Sequence, residues 1–86
     1  MSVEVGSKEV RDIAQRIAEI FGEVLGAEAT PATGSAFLES GGDSLTAARA
    51  VSQISATFGV RVTVRDLFRA GTADGLAAVT TARLNS

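Results

Sequence analysis

Residues 41–44 place two glycines, an acid and a serine directly before a stretch with helical spacing. Gly41 and Gly42 have no β-carbon, so the backbone can take unusual angles and another molecule can approach closely. Asp43 is a natural N-cap, because its carboxylate can accept a hydrogen bond from a free amide of the first helical turn. Ser44 would then lie in that turn, where unpaired amides and the helix dipole favour a negative group such as a phosphate. The pattern suits a serine that carries a phosphate ester better than one that attacks a substrate.

Two other interpretations of this stretch stay open. A glycine-rich loop and a cap occur in many helices without any chemistry, and the chain would then be an unmodified helical interaction module. Residues 42–45 also spell GDSL, the nucleophile block of one family of esterases. Such a serine needs a base, normally a histidine held by a carboxylate, and the chain has no histidine and one lysine, Lys8. A hydrolase is therefore disfavoured, and we predict no catalytic residue and no enzyme activity.

Composition excludes several further classes of function. Without cysteine or histidine, the chain has no disulfide and lacks the usual metal ligands, so we predict no metal site. Eight basic and ten acidic residues give a net charge of −2 without a basic cluster, which argues against nucleic acid as a partner. No apolar run approaches the ~20 residues of a membrane span, and residues 1–9 lack the features of a signal peptide. We expect a cytoplasmic protein that does not bind membranes.

The elements that must position Ser44 are two helices and a loop. Apolar residues spaced by three and four predict a first helix from about Lys8 to Leu25, with a weak cap at Ser7 and a stop at Gly26. A second helix is predicted from Ser44 to Phe58. Its buried residues should be Ala47, Val51, Ile54 and Phe58, with Ala48 widening the stripe.

Residues 26–43 form an unusually long connection between these helices, and long loops of this kind are often functional. The loop contains the only proline, Pro31, and several small polar residues. Phe37 and Leu38 are the large apolar residues within it, and we expect both to anchor it to the core.

The C-terminal third should add a short helix and a long one. Alternating valines at residues 60–64 resemble a strand, but with no partner strand we interpret them as an extended linker. A short helix then covers Asp66–Ala70, and Thr72 caps a last helix through Leu84. The buried side of the last helix should contain Ala73, Leu76 or Ala77, Thr80 and Leu84. The prediction is an all-α, small four-helix bundle, with three long helices and one short, forming a single domain over 1–86 with a core at about 9–84.

Four blocks of the chain resemble the carrier proteins of nonribosomal peptide synthesis. The blocks are IFGEVLG at 20–26, similar to I-W-x-E-V-L-G; FLESGGDSL at 37–45, similar to F-F-E-L-G-G-x-S-L; VTVRDLF at 62–68; and FRAGTADGLA at 68–77, similar to F-x-x-P-T-V-x-x-L-A. Their order and spacing fit, and together they cover nearly the whole chain. Ser40 replaces a usual apolar residue and Gly71 a usual proline, which bears on loop packing and partner preference.

The resemblance implies that Ser44 is the attachment point of 4′-phosphopantetheine, with Gly42, Asp43 and Leu45 beside it. A separate phosphopantetheinyl transferase would install this arm from coenzyme A with Mg²⁺, and the glycines would leave room for that enzyme. The arm would supply the thiol that the chain lacks, and acyl or aminoacyl groups would travel on it as thioesters. The other partners implied are an adenylation enzyme and condensation or tailoring enzymes, each acting on a monomeric carrier.

Two further expectations concern the type of carrier and the surface that partners contact. Carriers of fatty-acid synthesis are strongly acidic along the second helix, whereas residues 45–59 contain no acid and one base. This favours a peptidyl carrier, with an acyl or aryl carrier of polyketide or hybrid biosynthesis as the alternative. By resemblance, the partner surface would include Leu45, Thr46, Arg65 and Phe68, although from its residue type we expect Phe68 to lie mostly in the core.

Overall fold

The fold consists of four helices joined by one long loop and two short connections. The computed structural model describes the backbone of residues 2–86 and the side chains of residues 9–86. The helices are α1 (Ser2–Leu25), α2 (Ser44–Phe58), α3 (Val64–Ala70) and α4 (Ala73–Leu84). The described residues contain no strand, only an isolated antiparallel bridge between Ala36 and Thr72. The predicted all-α bundle of three long helices and one short helix is therefore confirmed.

The core lies where α1 packs against α4 and α2. The apolar spacing of α1 predicted this side correctly, and Ile17 and Ile20 are fully buried. In α4, Leu76 and Ala77 are both buried, and the buried hydroxyl of Thr80 donates to the carbonyl of Leu76 at 2.8 Å. That bond within the helix satisfies a polar group that would otherwise be costly to bury. None of the helices in residues 2–86 is long and apolar enough to cross a membrane.

Two helices begin earlier than the sequence predicted. Helix α1 starts at Ser2 and not near Lys8, and the cap proposed at Ser7 concerns a side chain outside the described ones. Helix α3 starts at Val64 because Thr63 is its N-cap and Asp66 is the third residue of its first turn. Thr63 and Asp66 exchange hydrogen bonds with each other's amides at 3.1 and 2.9 Å, forming a capping box. Asp66 takes the place that glutamate or glutamine usually fills, so the signal was missed.

Five apolar residues are less buried than the sequence predicted. One of them is Phe58 at the end of α2, which packs against the core but is only partly buried. In α2 the buried residues are 47, 50, 51 and 54, so Ala50 faces the core. Ala48 lies about 100° around the helix from the buried Ala47 and is exposed. Leu84 is the last residue of α4, and it is only partly covered. Leu38 and Phe68 are 58% and 40% exposed, because Phe37 and Leu67 beside them take the inward positions.

The segment between α2 and α3 is an extended linker, as predicted. Ser55 of α2 holds it in place, since its hydroxyl accepts from the amide of Val62 at 3.0 Å and lies 3.2 Å from the carbonyl of the same residue. The side chain of Val62 is buried. The linker therefore pairs with a side chain instead of a second strand.

An ion pair joins the end of α4 to the start of α3. The guanidinium of Arg83 contacts both carboxylate oxygens of Asp66, with Nη2 3.0 Å from Oδ1. Arg83 also donates to the carbonyl of Arg61 at 2.8 Å. The pKa of Asp66 lies well below its usual value, mainly because of the hydrogen bonds from Arg83. The same hydrogen bonds raise the pKa of Arg83.

The loop between α1 and α2 is fastened to the junction of α3 and α4. The amide of Phe37 donates to the carbonyl of Gly71 at 2.8 Å, and the amide of Asp74 donates to the carbonyl of Thr33 at 2.9 Å. Phe37 is buried and its ring packs against that of Phe21 in α1, with centroids 4.7 Å apart. Phe37 therefore anchors the loop as predicted, whereas the exposed Leu38 does not.

Candidate functional site

Ser44 is the first residue of α2 and its side chain is exposed. The residue before it, Asp43, has an extended backbone (φ −146°, ψ −173°) and is the N-cap. Its carboxylate accepts from the amide of Thr46 at 2.9 Å, and its own amide donates to the hydroxyl of Thr46 at 2.9 Å. This capping box fixes where the helix begins and thereby places the hydroxyl of Ser44 at the positive end of the helix dipole.

The electrostatics of the cap follow from the same contacts. The pKa of Asp43 lies below its usual value. The main cause is the hydrogen bond from the amide of Thr46, and the second is the hydrogen bond from the Thr46 hydroxyl. Asp43 is therefore ionised at neutral pH, with its carboxylate directed at the amide of the first turn. A carboxylate held in this way is not positioned to act as a base for Ser44. The sequence has no histidine that could take this role instead.

The two glycines before the cap have structural reasons of their own. Gly41 has φ +103°, a conformation that residues with a side chain rarely adopt. Gly42 lies against Phe37: a β-carbon on Gly42 would fall 2.8 Å from the carbonyl oxygen of Phe37 and would overlap its ring. From the resemblance to carrier proteins, we expect these glycines to leave room for a transferase. The backbone angle is a sufficient reason for glycine at Gly41, and the close packing is a sufficient reason at Gly42. Access by an enzyme stays a prediction.

Three of the residues predicted beside Ser44 lie around it in the structure. Gly42 and Asp43 precede it, and Leu45 follows it with 62% of its surface exposed. The hydroxyl of Thr46, predicted as a partner contact, is occupied by the capping box. The roles of all four in binding a cofactor or partner stay predictions.

Arg65 and Phe68, the other predicted partner residues, lie on α3 and are exposed. Phe68 lines a small apolar cavity of about 70 Å³ between the loop and α3. The remaining residues that line it are Ala36, Phe37, Leu38, Leu67 and Gly71. Leu38 was missed as a surface residue, because a loop has no periodicity to show which of two adjacent apolar residues faces outwards.

Both departures from the usual carrier pattern are accommodated by the backbone. The hydroxyl of Ser40 donates to the carbonyl of Ala36 at 2.9 Å, so it closes a turn within the loop. Gly71 ends α3 with φ +78°, and its amide donates to the carbonyl of Leu67 at 2.8 Å. A proline could supply neither this angle nor this donor.

Comparison with known proteins decides the family. The family described as "Phosphopantetheine attachment site" matches residues 15–79, which is most of the chain. The chain belongs to this family. Its members attach 4′-phosphopantetheine and are carriers, not catalysts. Ser44, an exposed hydroxyl at a helix N-terminus, is a fitting acceptor for that phosphate-linked group.

The carrier domain is similar to short segments of two large synthetases. The phosphinothricin tripeptide synthetase PhsC of Streptomyces viridochromogenes is 45% identical over 65 residues, covering 76% of this chain and 6% of that protein. The hybrid PKS-NRPS synthetase TAS1 of Botryobasidium botryosum is 38% identical over 71 residues, covering 83% of this chain and 4% of that protein. The chain thus spans only a small fraction of either relative. In such synthetases, carrier domains interact with biosynthetic enzymes.

A solved structure has the same fold. BlmI, a type-II acyl-carrier-protein from Streptomyces verticillus involved in bleomycin biosynthesis, superposes with a TM-score of 0.85. The match covers 91% of this chain and 93% of BlmI at 23% sequence identity. This carrier domain therefore has the acyl carrier protein fold.

Proposed function

We propose that the carrier domain bears 4′-phosphopantetheine on Ser44 and holds aminoacyl or peptidyl intermediates of nonribosomal peptide biosynthesis as thioesters. The observation that carries the proposal is the exposure of Ser44 in the first turn of α2, between Asp43 and Thr46, the two residues of the capping box. The free amides of that turn favour a phosphodiester there. The whole chain, 1–86, would act as one carrier domain.

The arm would supply a chemistry that the side chains lack, namely a free thiol that can form a thioester. The chain contains no cysteine, so none of its own residues can do this. The described residues contribute position: the capping box fixes the start of α2, and Phe37 holds the preceding loop against the core. The intermediates would pass between an adenylation enzyme and condensation or tailoring enzymes.

The peptidyl type is supported by sequence and by one relative. Residues 45–59 contain no acidic residue, unlike the second helix of fatty-acid carriers, and PhsC is a tripeptide synthetase. The alternative, an acyl or aryl carrier, is favoured by TAS1, which is a hybrid PKS-NRPS synthetase. Loading assays with amino acids and with acyl-coenzyme A substrates would distinguish the two, since only the correct cargo class should appear on the arm.

Mass spectrometry of the intact chain tests the attachment. Incubation with a broad-specificity phosphopantetheinyl transferase, coenzyme A and Mg²⁺ should raise the mass by one phosphopantetheinyl group. Ser44→Ala should abolish the gain, whereas Ser52→Ala, an exposed serine of the same helix, should retain it. An unchanged mass of the unsubstituted chain with several such transferases would contradict the proposal and favour an unmodified interaction module.

A second experiment tests the GDSL interpretation. A hydrolase would turn over a simple ester and would be labelled at Ser44 by a serine-reactive phosphonate. We expect neither, because the chain has no histidine and the carboxylate of Asp43 is held by the amide of Thr46.

A further inference from the structure

Two glycines bound the part of the chain that contains the α2–α3 linker and α3. Gly59 ends α2 with φ +69°, and Gly71 ends α3 with φ +78°. A β-carbon on either residue would meet no atom beyond its chain neighbours within 4 Å, so both glycines have open space around them. They are therefore positions where the backbone can turn with little steric resistance. We call the residues between them the 60–70 segment.

The 60–70 segment contributes little to the hydrophobic core. Sixteen apolar residues are buried among the described side chains, and only Val62 and Leu67 of these belong to the segment. The helix within it, α3, has seven residues, fewer than the ~12–15 that an isolated helix needs to be stable in water. The segment therefore depends on its attachments, whereas α1, α2 and α4 share most of the buried residues without it.

One side chain of α4 holds the first half of the segment. Nη1 of Arg83 donates to the carbonyl of Arg61 at 2.8 Å, and the guanidinium also contacts both carboxylate oxygens of Asp66. Arg83 thus binds the linker and the first turn of α3 at the same time. The hydroxyl of Ser55 in α2 adds a bond from the amide of Val62 at 3.0 Å.

The ion pair between Arg83 and Asp66 lies in an open cleft of about 450 Å³. Among the described residues, the cleft is lined by Val60, Arg61, Thr63, Asp66 and Arg83, so Asp66 provides its only carboxylate. The side chains of Arg83 and Asp66 are 41% and 17% exposed, respectively. A pair that is accessible to water in this way stabilises a contact only modestly and is broken more readily than the packing of the core.

The last residues of the segment are fixed more closely. The amide of Phe37 donates to the carbonyl of Gly71 at 2.8 Å. A β-carbon on Gly75 of α4 would fall 2.8 Å from the carbonyl oxygen of Ala70, which shows how closely the end of α3 packs against α4. The two ends of the segment are therefore held differently, by packing and a backbone bond near Gly71 and by the side chain of Arg83 at the start of α3.

We propose that the 60–70 segment opens from the bundle as a unit, pivoting near Gly71, and that Arg83 is the latch that keeps it closed. Opening breaks the bonds of Arg83 to the segment and the bond between Val62 and Ser55. Val62 and Leu67 leave the core, while α1, α2 and α4 stay packed. The proposal concerns the chain without a prosthetic group and does not depend on attachment at Ser44.

Hydrogen exchange of the native chain, followed by NMR, tests the proposal. The amides of Val62, Leu67 and Gly71 report on the segment, because each is hydrogen-bonded in the closed form and α3 is too short to stay helical when detached. These amides should exchange faster than the core amides of α2, and with a weaker dependence on denaturant, since opening exposes less surface than global unfolding. Arg83→Gln should raise their exchange about three- to tenfold.

Two control variants separate the latch from the overall stability. Arg16→Gln makes the same chemical change in the ion pair with Glu19 on α1, and it should leave the three reporter amides at their original rates. Ile17→Val alters a fully buried residue of α1 and should raise the exchange of the core amides of α2 about two- to tenfold. It should not change the reporter amides, because Ile17 remains packed when the segment is open.

The outcomes that would overturn the proposal are distinct. Equal exchange of the reporter amides and the core amides of α2 in every variant would show that α3 unfolds only with the whole bundle. Unchanged reporter amides in Arg83→Gln would show that Arg83 is not the latch. Circular dichroism should give the same helix content for all variants, so that the rates refer to folded chains. Failure of attachment at Ser44 would appear as an unchanged mass and would leave the exchange result intact.

Discussion

The amide of Gly42 donates to the carbonyl of Phe37 at 3.1 Å, and no β-carbon would fit between the two residues. This contact closes the loop just before the cap of α2, so the ring of Phe37 and the start of the helix are fixed together. Gly42 of this motif therefore has a packing function that does not depend on any partner.

We expect Gly42→Ala to destabilise the fold by about 1–3 kcal/mol, because the added methyl overlaps Phe37 and forces the loop to shift. Gly34→Ala is the matched control in the same loop, since its β-carbon would meet its nearest neighbour at 3.7 Å and its φ is not positive. Chemical denaturation gives both values. If Gly42→Ala proves as stable as the control, the close packing is not required.

Substitution of the adjacent residues Phe37 and Leu38 should change the free energy of unfolding by very different amounts. Phe37 is 1% exposed and Phe37→Ala should cost about 3–5 kcal/mol, since it leaves a cavity against Phe21. Leu38→Ala should change the free energy of unfolding by no more than about 0.5 kcal/mol, as expected for a surface substitution. Urea denaturation of the two variants checks the prediction, and a large cost for Leu38→Ala would show that this residue anchors the loop after all.

The cap of α2 should depend on the carboxylate oxygen of Asp43 more than on its charge. Asp43→Ala removes the acceptor for the amide of Thr46 and should lower the melting temperature, whereas Asp43→Asn retains an acceptor and should lower it less. Circular dichroism melts at neutral pH provide the comparison. Equal losses for the two variants would mean that the dipole interaction of the charge dominates the cap.

Acid should weaken the fold through Asp66. Its pKa is lowered in the folded chain, chiefly by the hydrogen bonds from Arg83, whereas the unfolded chain should have a value of about 3.9. The unfolded state therefore takes up the proton first as the pH falls, so the stability from this pair is complete above about pH 5 and is lost progressively below it. Asp66→Asn should show a lower stability at neutral pH and a smaller loss on acidification, measured by denaturation between pH 7 and pH 2. A parallel pH profile for both proteins would contradict this assignment.

Local signals predicted the helices and the position of Ser44, whereas side-chain direction outside long helices was harder to predict. Asp43 as a cap and Thr72 as a cap both follow from residue type and position, and the structure has both. The outward direction of Phe68 could not be predicted from the sequence, because α3 has only seven residues and the neighbouring Leu67 is also a large apolar residue. In so short a helix, the spacing of apolar residues does not show which of the two faces inwards.

The ion pair between Arg83 and Asp66 also could not be predicted from local sequence patterns. The two residues are 17 positions apart, and nothing in their immediate neighbours indicates the contact. It depends on how α4 returns past the start of α3, which is a property of the assembled bundle. The contact could therefore be recognised only in three dimensions.

The hydrogen bond from the amide of Phe37 to the carbonyl of Gly71 has a mechanical consequence. It tethers the end of α3 to the loop that leads into Ser44. Any displacement of α3 must therefore either stretch this bond or drag the loop along with it. A protein that presses on Phe68 thus also pulls on the stretch of backbone that sets where the serine points.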